Sequence, residues 1–183
     1  MADIGAVAHP FTTNTLAVKL QNTAGRFVSL DDYRGKIVFL SFWTTWCPTC
    51  TTEMPAMEKL HRKLAGKNFA MLAVNVKESA SRVKSFFDKN KLTFTALLDT
   101  TGEAGTEFGL RVIPTTFILD KSGNIIGRIA GPREWDSQNS VALFERLAET
   151  EASGQTTRLH PADAGLRRGR QKTDDKQTNI EWR

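Results

Sequence analysis

The chain has 183 residues, of which 40% are hydrophobic and 25% charged, and its formal net charge is +5. This length fits one domain with a sizeable core and leaves no room for a second full domain. Residues 151–183 contain seven Lys and Arg against five Asp and Glu, so they contribute only +2 of this charge. The densest basic run, Arg167–Lys172, has no aromatic residues for base stacking, so we expect a solvated tail and no nucleic-acid partner.

The first predicted elements are a hairpin and a buried strand. Residues 16–20 and 27–30 are rich in alternating apolar side chains and flank a turn-like segment at 21–25, which predicts a β-hairpin. Residues 31–36 are polar and turn-like. The next run, Ile37–Trp43, is almost continuously apolar, which is typical of a strand buried on both faces of a parallel sheet.

Both cysteines lie directly after this strand, in the motif Trp46-Cys47-Pro48-Thr49-Cys50. Apolar residues at helical spacing follow from Met54 to Leu64, so the motif stands where a buried strand ends and a helix begins. A helix N-terminus stabilises negative charge, which favours a reactive thiolate at Cys47. Because only two residues separate the cysteines, Cys50 can reach Cys47, and the pair can alternate between a dithiol and a disulfide.

A cysteine pair can also bind structural zinc, attach a haem covalently or form a purely structural disulfide. A structural zinc site needs four ligands, and the three histidines are too far apart in sequence to complete one: His9, His61 and His160. Covalent haem attachment needs a histidine directly after Cys50, where this chain has Thr51. A purely structural disulfide remains open, but so short a loop constrains the unfolded chain little. We therefore favour a catalytic pair.

The second half of the chain alternates predicted strands and helices. Strands are predicted over residues 69–76, 93–98, 115–120 and 125–129. Helices are predicted from Ser79 or Ser81 and over 134–150, and a short helix or helical turn over 101–110. The last two strands are expected to form a hairpin at the sheet edge. This order predicts an α/β sandwich, with a mixed central sheet, helices on both faces and an N-terminal β-hairpin.

Three motifs make the sequence resemble the thioredoxin superfamily, within its TlpA-like and ResA-like thiol–disulfide oxidoreductases. They are W-C-x-x-C at residues 46–50, Pro55 in the active-site helix, and Ile113-Pro114-Thr115, which is similar to the family's cis-proline loop. The resemblance runs from about Thr12 to Thr150. It implies a thioredoxin-like domain at 12–150, preceded by an N-terminal extension at 1–11. Residues 151–183 are polar with only scattered apolar side chains, so we expect this tail to be disordered or loosely docked.

The resemblance also implies roles in catalysis. Cys47 is expected to attack a partner's disulfide, and Cys50 to release the resulting mixed disulfide. Thioredoxins proper carry a buried aspartate six residues before the first cysteine, but this chain has Ser41 there, which cannot exchange a proton at neutral pH. We therefore expect Glu78, just after the second buried strand, to act as the base for Cys50, with a pKa that burial raises. The alternative is a surface glutamate in the first turn of a helix.

Four residues are predicted to bind substrate: Trp46, Pro48, Ile113 and Pro114. A cis peptide bond at Pro114 would expose the Ile113 backbone for strand-like hydrogen bonds to an extended partner segment, whereas a trans proline would only open a strand. Trp46 and Pro48 flank Cys47, and Trp46 is expected to form a rigid apolar wall for the partner chain. Trp43 is expected in the core.

The leading hypothesis is a protein thiol–disulfide oxidoreductase that acts mainly as a reductant. The resemblance implies protein substrates with disulfides, among them the haem-site disulfide of apocytochrome c, and a membrane thiol donor upstream. No cofactor or metal is expected beyond the two sulfurs. One alternative is a thiol peroxidase, because Thr44 precedes Cys47 as in P-x-x-x-T-x-x-C, although Leu40 breaks that motif. Another is a redox-inert binding module that presents the Pro114 groove.

The compartment is predicted from two arguments that disagree. No stretch of the sequence is long and apolar enough to span a bilayer, and a charged n-region followed by an apolar h-region is missing, which favours the cytoplasm. The proteins it resembles usually work outside the cytoplasmic membrane, often behind a signal peptide or anchor helix. We therefore expect the periplasm or the outer face of that membrane, with the signal or anchor absent from this chain.

Overall fold

The computed structural model describes residues 17–150 and 181–182. In these residues the strands are β1 (Lys19–Asn22), β2 (Phe27–Ser29), β3 (Ile37–Trp43), β4 (Phe69–Val76), β5 (Thr95–Asp99), β6 (Thr115–Leu119), β7 (Ile125–Ala130) and β8 (Glu181–Trp182). The helices are α1 (Pro48–Lys63), α2 (Ala80–Asn90), α3 (Glu103–Glu107) and α4 (Gln138–Glu149), and a 3-10 helix spans Leu30–Tyr33. None of these helices is both long and apolar enough to cross a bilayer.

The strands form one mixed sheet in the order β2-β1-β5-β4-β3-β6-β7-β8. The pairs β3–β4 and β4–β5 are parallel, and the other neighbouring strands are antiparallel. The predicted N-terminal hairpin is therefore confirmed, as β1 pairs with β2 around a turn in which Gly25 takes a positive φ of 78°. The mixed central sheet is confirmed as well.

Strand β3 lies near the middle of the sheet, and its bounds are those predicted from the apolar run. All seven of its side chains are buried, because helices or loops cover both faces. Alternate residues enter two separate hydrophobic clusters, with Phe39 and Trp43 in one and Leu40 and Phe42 in the other. The strand that leads to the cysteines is thus anchored on both sides.

Helices cover both faces of the sheet, as predicted. Helices α1, α2 and α4 share one face, where Met54, Phe87 and Phe144 join the cluster that contains Phe39. On the other face α3 and the 3-10 helix contribute, and Phe108 and Leu30 are buried there. The ring of Phe39 packs edge-on against Trp135, with 4.7 Å between ring centroids, so the segment before α4 is held against the centre of the sheet.

Helix α3 is shorter than the predicted segment of residues 101–110. The buried carboxylate of Asp99 accepts hydrogen bonds from the backbone N–H groups of Gly102, Ala104 and Gly105, which fixes the start of the helix. Gly109 has a positive φ of 63°, a conformation in which the chain leaves the helix. Capping at one end and a glycine at the other therefore confine the helix to five residues.

The predicted position of the last hairpin is wrong in one respect. Strands β6 and β7 do pair, but β7 is not the sheet edge, because β8 adds to it through Gly127–Trp182 and Arg128–Glu181. The pairing partner comes from the far end of the polar tail, which local sequence patterns could not relate to β7. Residues 151–180 and 183, the basic run Arg167–Lys172 and the expected extension at 1–11 lie outside the described residues.

Candidate active site

The two cysteines form a disulfide at the start of α1. Cys47 is the N-cap residue of the helix, Pro48 is its first residue, and Cys50 lies in its first turn, with 5.3 Å between the two Cα atoms. Proline suits the first position because its missing N–H has no intrahelical partner there in any case. The strand-to-helix junction predicted for these cysteines is confirmed.

The helix N-terminus is directed at the sulfur of Cys47. The backbone N–H of Cys50 donates to Cys47 Sγ at 3.2 Å, and the hydroxyl of Thr49 lies 3.3 Å from the same sulfur. These donors and the positive end of the helix dipole stabilise a thiolate at Cys47 once the disulfide is reduced. Cys47 is 5% exposed and Cys50 0%, so a partner reaches Cys47 before Cys50, as expected for the attacking cysteine.

The Ile113–Pro114 peptide bond is cis, as predicted. Strand β6 begins at Thr115 and pairs with Phe42 near the end of β3, so the cis proline stands beside the segment that leads to Cys47. Ile113 is half-buried and packs against the hydrophobic cluster that includes both cysteines. The structure therefore brings together two segments that are more than 60 residues apart in sequence.

Exposed apolar side chains lie next to both segments. Trp46 is 66% exposed beside Cys47, and Val112 is 52% exposed beside Ile113. Pro48 is exposed too. Trp43, in contrast, is fully buried and packs on Phe86 with 5.0 Å between ring centroids, which confirms that it belongs to the core. Among Trp43, Trp46 and Trp135, whose exposure the structure describes, Trp46 is the one that a partner can contact.

Glu78 lies at the end of β4 and holds the segment before the cysteines. One carboxylate oxygen accepts from the Thr45 backbone N–H at 2.7 Å and from Asn75 Nδ2 at 2.7 Å, and the other accepts from the Thr45 hydroxyl at 2.6 Å. Arg82 Nε lies 3.1 Å from Glu78 and donates to the Thr45 hydroxyl at 3.0 Å. Lys77 has a positive φ of 60°, so the chain turns sharply just before this carboxylate.

The pKa predicted for Glu78 is wrong in direction. Burial raises it, but hydrogen bonds from Thr45 and Asn75 and the charge of Arg82 outweigh burial, and the pKa lies below the usual value. The carboxylate is therefore ionised throughout the neutral range and already accepts three hydrogen bonds beside its ion pair with Arg82. Its role as the base for Cys50 stays a prediction. The contacts favour instead a residue that positions Thr45, two residues before Cys47.

Replacing Glu78 with alanine is expected to lower the free energy of unfolding at pH 7 by about 2–3 kcal/mol, because the donors of Thr45 and Asn75 lose their acceptor. Urea denaturation of the oxidised protein measures this loss in the free energy of unfolding. Arg82→Ala is the control and should cost only about 0–1 kcal/mol, since Arg82 is 64% exposed. Because the folded-state pKa of Glu78 is lowered, its stabilisation is full above about pH 4.5 and is lost as the pH falls further. Equal losses in the two variants would contradict the positioning role.

Glu53 is the functional candidate that sequence reasoning missed. It follows Cys50 by three residues on α1, which places both on one face of the helix, and it is only 4% exposed. One carboxylate oxygen, Oε2, accepts from Trp135 Nε1 at 2.9 Å and from the Arg133 backbone N–H at 3.1 Å. The other, Oε1, is buried and has no hydrogen-bond partner among the described residues.

Burial raises the pKa of Glu53 to about 7, although the hydrogen bonds from Trp135 and Arg133 and the charge of Arg133 lower it in part. The carboxyl group lines a cavity of about 760 Å³, whose apolar wall includes Ile129, Pro132 and Phe144. A carboxyl group with a pKa near neutrality can both accept and release a proton under physiological conditions. In the sequence, Glu53 could have been found only from the spacing C-x-x-C-x-x-E. The residues that hydrogen-bond to its carboxylate, Arg133 and Trp135, lie about 80 residues further along the chain.

The described residues contain no group of three or more His, Cys, Asp or Glu side chains close enough to hold a metal ion. The ionisable groups of the site are the sulfurs of Cys47 and Cys50 and the carboxyl groups of Glu53, which is buried, and of Glu78, which is half-buried. A disulfide at a helix N-terminus, an adjacent cis proline and a neutral-range carboxyl group suit thiol–disulfide exchange.

Comparison with known proteins agrees with this geometry. The model of the AhpC/TSA family matches residues 5–128. The chain is 38% identical over 130 residues to the thiol-disulfide oxidoreductase ResA of Geobacillus thermodenitrificans, covering 66% of this chain and 75% of that protein. It is 43% identical over 109 residues to the thioredoxin-like protein YneN of Bacillus subtilis, covering 58% of this chain and 63% of that protein.

Solved structures of thiol–disulfide oxidoreductase relatives share this fold. The crystal structure of StoA from Bacillus subtilis matches with a TM-score of 0.59 and 27% sequence identity, over 72% of this chain and 96% of that chain. The thioredoxin-like fold predicted from the three motifs is thereby confirmed.

Proposed function

Because the chain belongs to the AhpC/TSA family and is a thiol–disulfide oxidoreductase, we propose that it reduces disulfides in partner proteins outside the cytoplasmic membrane. The observation that carries the proposal is the Cys47–Cys50 disulfide at the N-terminus of α1, with the cis Ile113–Pro114 bond beside it. The exposed Trp46 supplies a rigid apolar surface next to the reacting sulfur.

The reaction begins with the reduced protein. The Cys47 thiolate attacks one sulfur of the partner's disulfide, so that a Cys47–partner bond forms while the partner's own S–S bond breaks and releases a thiolate. Cys50 then loses its proton and attacks Cys47 Sγ. The Cys47–Cys50 bond forms, the mixed disulfide breaks, and the second partner sulfur leaves as a thiolate. Two electrons pass to the partner, and an upstream membrane thiol donor restores the dithiol.

Glu53 is proposed to take the proton that Cys50 must lose. Cys50 is fully buried, so bulk water does not readily remove its proton, and Glu53 lies one helical turn further along the same helix face. Its pKa of about 7 leaves a large fraction ionised at neutral pH. The protonated carboxyl group then releases the proton through the cavity that it lines.

For the substrate we propose the haem-site disulfide of an apocytochrome c, a proposal that rests on the ResA-like resemblance. An extended C-x-x-C-H segment would lie along the Ile113 backbone and against Trp46, as in strand addition at a sheet edge. A disulfide peptide with this motif should be reduced faster than the same residues in scrambled order. Equal rates for the two peptides would remove the substrate assignment and leave the general reductase activity.

The reduction potential of the Cys47–Cys50 pair tests the proposed direction of electron flow. Equilibration with glutathione buffers should give a value near or below about −270 mV, the range of thioredoxin. A value near about −120 mV, typical of DsbA, would instead make the protein an oxidant. Turnover of hydrogen peroxide well above that of a free thiol would favour the peroxidase alternative, for which Leu40 stands where the motif requires proline.

A further inference from the structure

A groove with both polar and apolar lining lies on the side of the cysteine motif that faces α2. It has a volume of about 440 Å³, and its lining residues are Thr45, Thr51, Thr52, Phe86, Lys89 and Asn90. The backbone N–H of Thr51 donates to the carbonyl oxygen of Cys47 at 3.1 Å, so the groove begins next to the reacting cysteine. Residues of the cis-proline loop are not among its lining residues.

One face of α2 forms the wall of this groove. Arg82, Phe86 and Lys89 are spaced i, i+4 and i+7, which places them along one stripe of the helix. Phe86 and Lys89 line the groove directly, and Arg82 reaches it through its hydrogen bond to Thr45. The stripe therefore consists of a half-buried aromatic ring between two cationic side chains.

The charge of this wall is positive. Arg82 balances Glu78, and on another face of the helix Lys84 pairs with Asp88 at 2.6 Å. Within residues 17–150 Lys89 takes part in no ion pair. Arg82 uses Nε for its contacts, and its guanidinium group has further N–H donors on a side chain that is 64% exposed. The stripe therefore carries two cations, Arg82 and Lys89, against the single carboxylate of Glu78.

We propose that this groove docks an acidic segment of the disulfide-bearing partner, with a carboxylate on Lys89 and an apolar side chain on Phe86. The inference rests on the proposed function, because it specifies which partner sequences reach Cys47 most efficiently. A carboxylate near the partner's cysteine is attracted to Lys89. The hydroxyl groups of Thr51 and Thr52 donate to the Pro48 carbonyl, and Asn90 Nδ2 donates to the Phe86 carbonyl, so these side chains serve the partner's backbone as acceptors through their oxygen atoms. Trp46 and Ile113 do not line this groove, so the contact with Lys89 adds a preference for charge to the apolar contact that they provide.

The test compares two peptides, each with one internal disulfide, that differ only in carrying two Asp or two Lys beside the second cysteine. The reduced protein is mixed with each peptide at low salt, and kcat and KM for reduction are measured. We expect kcat/KM to be about two- to fivefold higher for the acidic peptide, with the difference in KM. The ratio of the two values should approach one in about 1 M salt, because screening is then nearly complete.

Lys89→Glu should reverse the preference, and Lys89→Gln should bring the ratio close to one. Lys84→Glu is the matched control, since it makes the same charge change on the outer face of the same helix, and its ratio should equal that of the wild type. If Lys89→Glu and Lys84→Glu change the ratio equally, or neither changes it, the groove does not select acidic partners.

Two further outcomes are distinguishable. Failure to reduce either peptide would overturn the proposed reductase function itself, whereas equal reduction of both peptides would overturn only the docking proposal. Vesicles with phosphatidylserine provide a check on a different occupant. Binding of these vesicles that Lys89→Glu abolishes, with an unchanged peptide ratio, would assign the groove to a membrane surface and overturn the acidic-partner proposal.

Discussion

Replacement of Cys47 by serine is expected to reduce disulfide reductase activity by roughly 10³-fold or more. A serine hydroxyl is not ionised at neutral pH, so the helix N-terminus and the Cys50 N–H that stabilise a thiolate have no anion to stabilise. The thiol released from a disulfide peptide, followed against time, measures the loss. A Cys47→Ser protein that keeps the wild-type rate would overturn the assignment of the nucleophile.

Cys50→Ser separates the two steps of the reaction. Cys47 remains able to attack, but the mixed disulfide has no resolving thiol, so a covalent complex with the partner should accumulate. Mass spectrometry of the mixture should show one partner chain per protein molecule. Because Cys50 is fully buried and Cys47 is not, the reverse behaviour, trapping by Cys47→Ser, would contradict the order of attack derived from their exposure.

Glu53→Gln is expected to lower kcat/KM at pH 7 by about 10²-fold and to remove the ionisation near pH 7 from the pH–rate profile. The glutamine keeps an oxygen that can accept from Trp135 and Arg133, but it cannot take the proton of Cys50. Rates measured from pH 5 to pH 9 test this. Glu58→Gln is the matched control, because Glu58 is a second buried carboxylate on α1.

The control residue, Glu58, differs from Glu53 in the direction in which its pKa is shifted. Burial raises the pKa of Glu58, but hydrogen bonds from Thr93 and Arg62 outweigh burial and keep that pKa below its usual value. Glu58 is therefore ionised across the neutral range, and its replacement should leave the ionisation near pH 7 in place. If Glu58→Gln and Glu53→Gln change the profile alike, or if Glu78→Gln removes the ionisation instead, Glu53 is not the proton acceptor.

Glu53→Gln should also change how the free energy of unfolding depends on pH. The folded-state pKa of Glu53 is raised from 4.5 to about 7, so its contribution to stability is greatest below pH 4.5 and falls as the pH rises to 7. This fall corresponds to about 3 kcal/mol, at about 1.4 kcal/mol per pKa unit. Between pH 4.5 and pH 8 the stability of Glu53→Gln relative to wild type should thus increase by this amount, as measured by urea denaturation. A stability difference between Glu53→Gln and wild type that does not vary with pH would show that the pKa of Glu53 is not raised.

The sequence by itself determined the elements whose signals are local. Nearly continuous apolar runs predicted β3 and β4 with the observed bounds, since a strand buried on both faces is apolar at almost every position; Ser41 and Asn75 are the buried polar exceptions. The motif at residues 46–50 predicted the disulfide and its place at a helix N-terminus. The family resemblance predicted the cis bond at Pro114. These features depend on residues that are close together in the chain or on a motif of known spacing.

Only the tertiary structure decided the pKa values of Glu53 and Glu78 and which strand forms the edge of the sheet. Glu53 has a raised pKa because burial outweighs the hydrogen bonds from Trp135 and Arg133, and Glu78 has a lowered one because Thr45, Asn75 and Arg82 outweigh burial. A pKa depends on every group within a few ångströms, and most of these groups come from distant parts of the chain. The same holds for β8, whose two residues pair with a strand more than 50 residues earlier.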